Sequence, residues 1–325
     1  MASRYPVFDR SQLRTLPLAK RKHDLHLKDI RPLEPCRIVD ETLSVVASRI
    51  VAARSGQSKR PVVLMMGAHV LRAGVQRYLI DLMEQGYLSC IATNGAGVIH
   101  DFEFALIGAT TETVASYIED GRFGMWHETG RLNDVVRAAA EEGLGLGEAV
   151  GKVIEEERFP HKDISILAAG HRLGVPITVH VGIGYDIVHE HANCDGSAYG
   201  AASYTDFLIF AKVLEGLPNG VLMTFGSAVM APEVYLKALA MVRNAAHQTL
   251  GPVSGFTTLV CDLRSLPSDY GVEACRDDPG YYFRPWKTML IRTVADGGES
   301  FYVEGSHSET IPKLWTAVTR CRSLR

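Results

Sequence analysis

No stretch of this chain runs apolar for the ~18 residues that a membrane span needs, and the opening MASRYPVFDRSQLRTLPLAKRKHDLHL lacks the apolar core of a secretory signal. Cysteine is sparse and scattered: the six stand at 36, 90, 194, 261, 275 and 321, with no CxxC pair. That spacing offers neither a disulfide framework nor a cysteine zinc site, and a reducing cytoplasm is the expected compartment. Cys90 and Cys261 fall in apolar runs and read as buried small hydrophobes. Excess charge of one sign is lacking too. A net charge of −3 and an isoelectric point near 6.5 give no reason to expect nucleic acid or an acidic membrane as partner. Internal repeats and low-complexity linkers are absent, so one folded unit is the simplest organisation. What is present is an ordinary globular composition, 46% hydrophobic and 22% charged, in 325 residues that can bury a large core.

Residues 1–36 are basic and proline-punctuated, with Lys20-Arg21-Lys22 and prolines at 6, 17, 32 and 35. They read as an arm lying over the body or over a neighbouring subunit, its charge solvated. Over 37–325 the pattern alternates helix and strand. Asp40 opens an amphipathic helix through Val45, Val46, Ile50 and Val51. Short apolar runs at 61–66, 88–93, 176–181, 220–225 and 256–262 read as buried strands. Helices are expected between them, one over 204–215 and one from Pro232. Strands and helices in this alternation imply right-handed βαβ units, hence an α/β fold with a doubly wound, mostly parallel sheet. Near the end, Lys287–Val294 and Ser300–Val303 flank Ala295-Asp296-Gly297-Gly298, which predicts a hairpin.

Three strands end in small-residue turns that open onto helices: Gly67-Ala68-His69, Asn94-Gly95-Ala96-Gly97 and Gly226-Ser227-Ala228. Open parallel sheets bind ligands outside the carboxyl ends of their strands, where glycines let a phosphate approach backbone N–H groups. None of the turns is a true GxGxxG, and small residues also serve tight turns; three in corresponding places favour a nucleotide-sized ligand. The loop 182–197 packs Asp186, His189, Glu190, His191, Asp195 and three glycines directly after a buried strand. So many ionisable groups at a strand end read as a site for a polar substrate and proton transfer. His180, Asp186, His189 and His191 admit a zinc reading, but no HExxH fixes the ligand set. His100 and Asp101, one to two turns into the helix after Asn94, can face the same crevice or serve local capping.

Lys287, in Tyr281-Tyr282-Phe283-Arg284-Pro285-Trp286-Lys287-Thr288, is wedged between aromatics and an apolar run beside Arg284. Poor solvation and a neighbouring cation favour a neutral, nucleophilic amine. The alternative is a lysine whose stem covers Trp286 while its head reaches water.

In order and spacing, these blocks resemble the deoxyhypusine synthase family over residues 60–318. The similar stretches are Asn94-Gly95-Ala96-Gly97 through Asp101, Pro176 to His189, Gly226–Met230, Trp286-Lys287, and Tyr302-Val303-Glu304-Gly305-Ser306 before an apolar helix. The resemblance implies a Rossmann-like fold, a homotetramer, NAD as cofactor, and oxidation of an amine to an imine that a lysine captures, here Lys287. It also implies that Ala68, His69, Asn94, Gly95, Ala96, Gly184 or Asp186, Glu304 and Gly305 face NAD. Departures are equally specific: Ile99-His100 replaces paired glutamates, Pro232-Glu233 replaces histidines, and His189 stands for an aspartate. A site short of carboxylates holds a dication poorly, so a substrate other than spermidine is implied. The expectation is an NAD-dependent enzyme acting on a small amine or carbonyl compound. Lys287 is its nucleophile, with His100, Asp186, His189 and His191 handling substrate and protons. The rivals are a metal-assisted hydrolase or lyase and a non-catalytic relative.

Overall fold

A computed structural model describes residues 3–37, 40–249 and 251–323; the first two residues of the expected arm, and residues 38, 39, 250, 324 and 325 of the expected body, lie outside them. The described residues form eight strands: β1 (Leu25–His26), β2 (Val62–Met66), β3 (Cys90–Asn94), β4 (Ala109–Thr110), β5 (Ile177–His180), β6 (Val221–Phe225), β7 (Thr257–Asp262) and β8 (Glu299–Glu304). Six of them make one wholly parallel sheet in the order β5-β3-β2-β6-β7-β8. The chain winds outward from β2 to β5, then returns to start again at β6. That reversal of direction leaves a crevice between the carboxyl ends of β2 and β6.

Strands covered on both faces must be apolar throughout, and β2 and β6 are buried at every position. Alternate residues feed two cores: Val62, Leu64 and Met66 face one layer, Val63 and Met65 the other. Burying each such side chain contributes about 1.5–3 kcal/mol. The helices are α1 (Glu41–Ala53), α2 (His69–Arg72), α3 (Gln76–Glu84), α4 (Gly95–Ile107), α5 (Val114–Tyr117), α6 (Arg131–Glu142), α7 (Leu146–Glu156), α8 (Ile166–Leu173), α9 (Gly196–Leu214), α10 (Met230–Thr249) and α11 (His307–Ser323). Asp40 caps α1 by accepting from the Leu43 N–H, and Asn94 caps α4 through the Gly97 N–H. α1, α3, α7, α8 and α11 contribute to the first core, α9 and α10 to the second.

Two expectations about local structure are corrected. The helix expected over 204–215 begins earlier, at Gly196, because Asp195 accepts from the Ser197 and Ala198 N–H groups and the small residues that follow pack as helix. The expected hairpin is not formed: Trp286–Arg292 winds as a π-helix, and β8 runs parallel to β7. The π-helical turns are held down by Thr258 Oγ1 donating to the Met289 carbonyl (2.8 Å) and Ser300 Oγ donating to the Leu290 carbonyl (2.7 Å). Segment 263–298 is thus a crossover connection laid on the second core, as parallel pairing requires. The arm is stitched to the body: β1 pairs antiparallel with β4, and the Leu16 N–H donates to the Met125 carbonyl (2.8 Å). Among the described residues no helix is long and apolar enough to cross a membrane.

Candidate active site

Three hollows adjoin along the carboxyl edge of the sheet. The central one, about 500 Å³, lies over β2, β3, β5 and β6 and is lined by Ala68, His69, Asn94, Gly95, Ala96 and the Gly226–Met230 turn. A second, about 290 Å³, shares Ala96, Tyr185 and Asp186 with it and reaches Arg21, His100 and Glu103. A third, about 520 Å³, shares His69, Gly226 and Ala228 and extends to Asp262 and His307 at the ends of β7 and β8. Arg72 lies between the second and third. Together they cross the point where the strand order reverses.

The strand-end glycines are required by turn packing against turn. A Cβ on Gly67 would collide with the Gly226 carbonyl, and one on Gly95 with the Asp186 carboxylate. Asp186 therefore sits at the amino end of α4, accepting from the Ala96 N–H. Burial pushes its carboxyl up to about 6, against the pull of that N–H. The end of α4 that could receive a phosphate already holds a carboxylate. The amino end of α10 differs: Ser227 Oγ accepts from the Ala231 N–H (3.1 Å), and the nearby Glu233 is paired with Lys237 and Arg284.

His100 lines the second hollow. Its Nδ1 lies 2.9 Å from Thr110 Oγ1, which lies 2.6 Å from Glu103 Oε2. Arg21 grips both Glu103 oxygens (2.9 and 2.7 Å), with both side chains about 1% exposed. Burial alone would raise the Glu103 carboxyl, but the Arg21 charge and the hydrogen bonds from Arg21, Thr110 and Thr129 outweigh it and hold it low. Burial drives His100 down to about 4, so the ring is neutral near pH 7. Thr111, which follows, has φ +62°, an uncommon conformation for a β-branched residue, and lines the same hollow.

Other expected residues lie elsewhere. Asp101 is buried and accepts from Ser165 Oγ and from the Ile166 and Leu167 N–H groups, so it caps α8 rather than facing the crevice. His189 Nδ1 accepts from the Gly184 and Asp186 N–H groups (3.2 Å each) and its ring packs edge-on against Tyr199, holding the loop. His191 Nε2 lies 2.8 Å from the Gly124 carbonyl, and His180 Nε2 lies 3.1 Å from Thr178 Oγ1. His180, Asp186, His189 and His191 do not converge, and among the described residues no cluster of three metal-ligating groups forms. Gly184 is exposed beside the central hollow; Glu304 ends β8, and Gly305 follows it just before Ser306, which lines the third. Lys287 is 6% exposed, with Nζ 3.4 Å from the centroid of the Tyr281 ring, and it lines none of the three hollows.

Arg21, Arg72, Glu103, Thr110 and Asp262 were not singled out by the sequence. Glu103 carried one usable signal: three residues beyond His100, it shares that helix face. Arg21 carried none, since a basic triplet ordinarily lies in solvent.

No family model and no curated protein matches the chain. Solved structures do. Unliganded AgrE superposes with TM-score 0.54 at 14% identity over 89% of this chain. AgrE in ternary complex with ornithine and NAD+ gives 0.51 at 14% identity, again over 89%. The chain spans about a third of the length of those proteins, 34% in each case. At such identity the likeness shows a shared fold. A protein from Entamoeba histolytica, proposed to be a deoxyhypusine synthase, matches over 88% of this chain and 89% of its own at 10% identity, but with a TM-score of only 0.43.

Proposed function

We propose that this chain is an NAD-dependent enzyme that oxidises or reduces a small amine or carbonyl compound. The observation that carries this is the continuous crevice across the reversal of strand order, with one helix end whose first-turn carboxylate, Glu233, is neutralised by Lys237 and Arg284. The residues fit a dinucleotide in one direction. The amino end of α10, at Ser227-Ala228-Val229, would hold the diphosphate, because helix ends of this kind favour anions. Asp262, at the end of β7, would accept from ribose hydroxyls. The cofactor would supply a hydride acceptor or donor at the second hollow, where His100 and Asp186 offer an acceptor and a titratable acid.

AgrE, a third of whose length shares this fold, forms a ternary complex with ornithine and NAD+, which supports this choice of cofactor and of an amine-bearing substrate. Lys287 takes no part in the reading, since its nitrogen rests on the Tyr281 ring, with the Glu273 charge nearby, and lines none of the hollows. Assembly as a homotetramer in the cytoplasm belongs to the same proposal. The test is a calorimetric titration with NAD+ and NADH on the wild type and on Ala228→Glu, which puts a carboxylate at the amino end of α10. Wild-type binding weakened at least tenfold by the substitution (about 1.4 kcal/mol) supports the reading. No binding at millimolar dinucleotide would overturn it in favour of a non-catalytic relative.

A further inference from the structure

The geometry points to the N-terminal arm as the element that fixes which nitrogen of His100 faces the second hollow. Through Glu103 and Thr110, Arg21 holds the ring with its proton on Nδ1 and its lone pair on Nε2. His100 is then a proton acceptor for a bound N–H or O–H group, and Arg21, Glu103 and Thr110 are positioning residues. This deepens the reading of the second hollow as the substrate end of the crevice.

Glu103 receives four donors: two from Arg21, Thr110 Oγ1 at 2.6 Å and Thr129 Oγ1 at 2.6 Å. A carboxylate has about four lone-pair directions, so all are filled, and facing a guanidinium it has no proton to give. The Thr110 hydroxyl owns a single hydrogen, and that hydrogen is committed to Glu103. Towards His100 the same oxygen can only accept, so the 2.9 Å contact must be Nδ1–H donating to Oγ1. With Nδ1 protonated and the ring neutral, Nε2 keeps its lone pair. It is the ring nitrogen left to meet a ligand in the hollow that His100 lines.

Several groups bear on the ring's charge. Glu103 favours the imidazolium; burial, Arg72, Arg21 and His69 oppose it and prevail. When a substrate donates, its N–H or O–H bond breaks, the electron pair stays on the nitrogen or oxygen, and the proton is carried on Nε2. The new imidazolium is then stabilised through Thr110 by the Glu103 charge, which does not itself take the proton. A fixed acceptor of this kind selects ammonium, amine or hydroxyl ligands over purely accepting ones.

The relay starts in the arm. Lys20 and Lys22 are exposed while Arg21 between them is buried, its guanidinium 5.7 Å from the Trp126 ring centroid. Leu18 is 1% exposed, the Lys22 N–H donates to the Tyr117 hydroxyl (2.8 Å), and the strand pairing of Leu25 with Thr110 fixes the arm beside the hydroxyl it controls.

Long-range 1H–15N NMR of the ligand-free protein, with the His100 signals assigned through His100→Gln, reads the tautomer directly. The expected result is a neutral ring protonated at Nδ1 in the wild type. The near-isosteric Thr110→Val should shift it to the Nε2-protonated form or to a mixture, and Thr110→Ser should restore it. Wild-type protein protonated at Nε2, or Thr110→Val with an unchanged tautomer, overturns the relay. Arg21→Met is the companion variant, and if it unfolds, the two Thr110 variants still decide. Because no dinucleotide is present, failure here leaves NAD binding standing, and failure of NAD binding leaves the tautomer unaffected.

Discussion

The two ends of the sheet treat buried charge differently. At the β3–β5 end, Arg21, Glu103, Thr110 and His100 form a chain of hydrogen bonds that ends at an open hollow. At the β7–β8 end, Lys287 is also buried, but its nitrogen rests on the Tyr281 ring with the Glu273 charge nearby, beside an apolar layer that includes Trp286, Met289 and Leu290. Four inter-strand spacings separate β5 from β7, roughly 19 Å at ~4.8 Å each. Perturbed ionisable groups cluster at functional sites, yet burial alone does not mark one. The distinguishing feature is whether the hydrogen-bond chain leads to space that a ligand can fill.

The sharpest way to break this comparison is to remove one charge at each end. Glu103→Gln leaves the Arg21 guanidinium buried without its anion and should cost about 3–5 kcal/mol. Lys287→Met keeps the length and apolar stem of the side chain, loses the contact with Tyr281 and the attraction to the partly exposed Glu273 carboxylate, and should stay within about 1 kcal/mol. Urea unfolding midpoints at unchanged slope measure both. Equal losses would mean that the two ends are alike. Lys287→Met should also leave NAD+ affinity unchanged, and a loss of binding there would return Lys287 to the site.

The same contrast explains what could be read from sequence. The runs at 61–66, 88–93, 176–181, 220–225 and 256–262 were legible because a strand covered on both faces must be apolar at consecutive positions. The cap at Asp40 and the turn at Asn94 were legible because their partners lie three residues away. Glu103 and Arg21 are 82 residues apart, and neither position is unusual by itself. Lys287–Val294 was misread as a hairpin strand because a largely apolar run of that length suits strand and helix equally, and only packing on β7 decides between them. Ala68, His69, Asn94, Gly95 and Ala96 do line the crevice, but Gly67 and Gly95 are also required by close approach to the Gly226 carbonyl and the Asp186 carboxylate.

A smaller effect tests the crevice itself. With its carboxyl raised to about 6 by burial, Asp186 is a carboxylate at pH 7 and largely the acid at pH 5. A dinucleotide diphosphate stays anionic over that range, so the repulsion fades as pH falls. NAD+ affinity should therefore rise severalfold, up to about tenfold or ~1.4 kcal/mol, between pH 7 and pH 5. Burial keeps His180 near 4 and holds His69 and His307 below the usual histidine range, so the histidines around the crevice add little positive charge in the upper part of that window. Asp186→Asn should be flat with pH and bind as the acid form does. A wild-type affinity that falls on acidification would mean that the diphosphate does not enter the hollow that Asp186 shares with the amino end of α10.

The smallest effect concerns the arm, which is itself two regions. Tyr5, Val7 and Phe8 are 64%, 82% and 74% exposed, whereas Leu18 and Arg21 are buried. Substitution of exposed residues that lack a buried contact ordinarily changes stability by less than about 0.5 kcal/mol. Deleting residues 1–8 should therefore leave the unfolding midpoint and the His100 tautomer where they are. Deleting residues 1–22 removes Arg21 and should reproduce the loss seen when the Glu103 charge is removed. If the short deletion already destabilises the chain, the exposed tip is packed in solution, and the most direct cover for Tyr5, Val7 and Phe8 would be a second copy. Sedimentation of the short deletion at several concentrations separates that outcome from an effect within one chain.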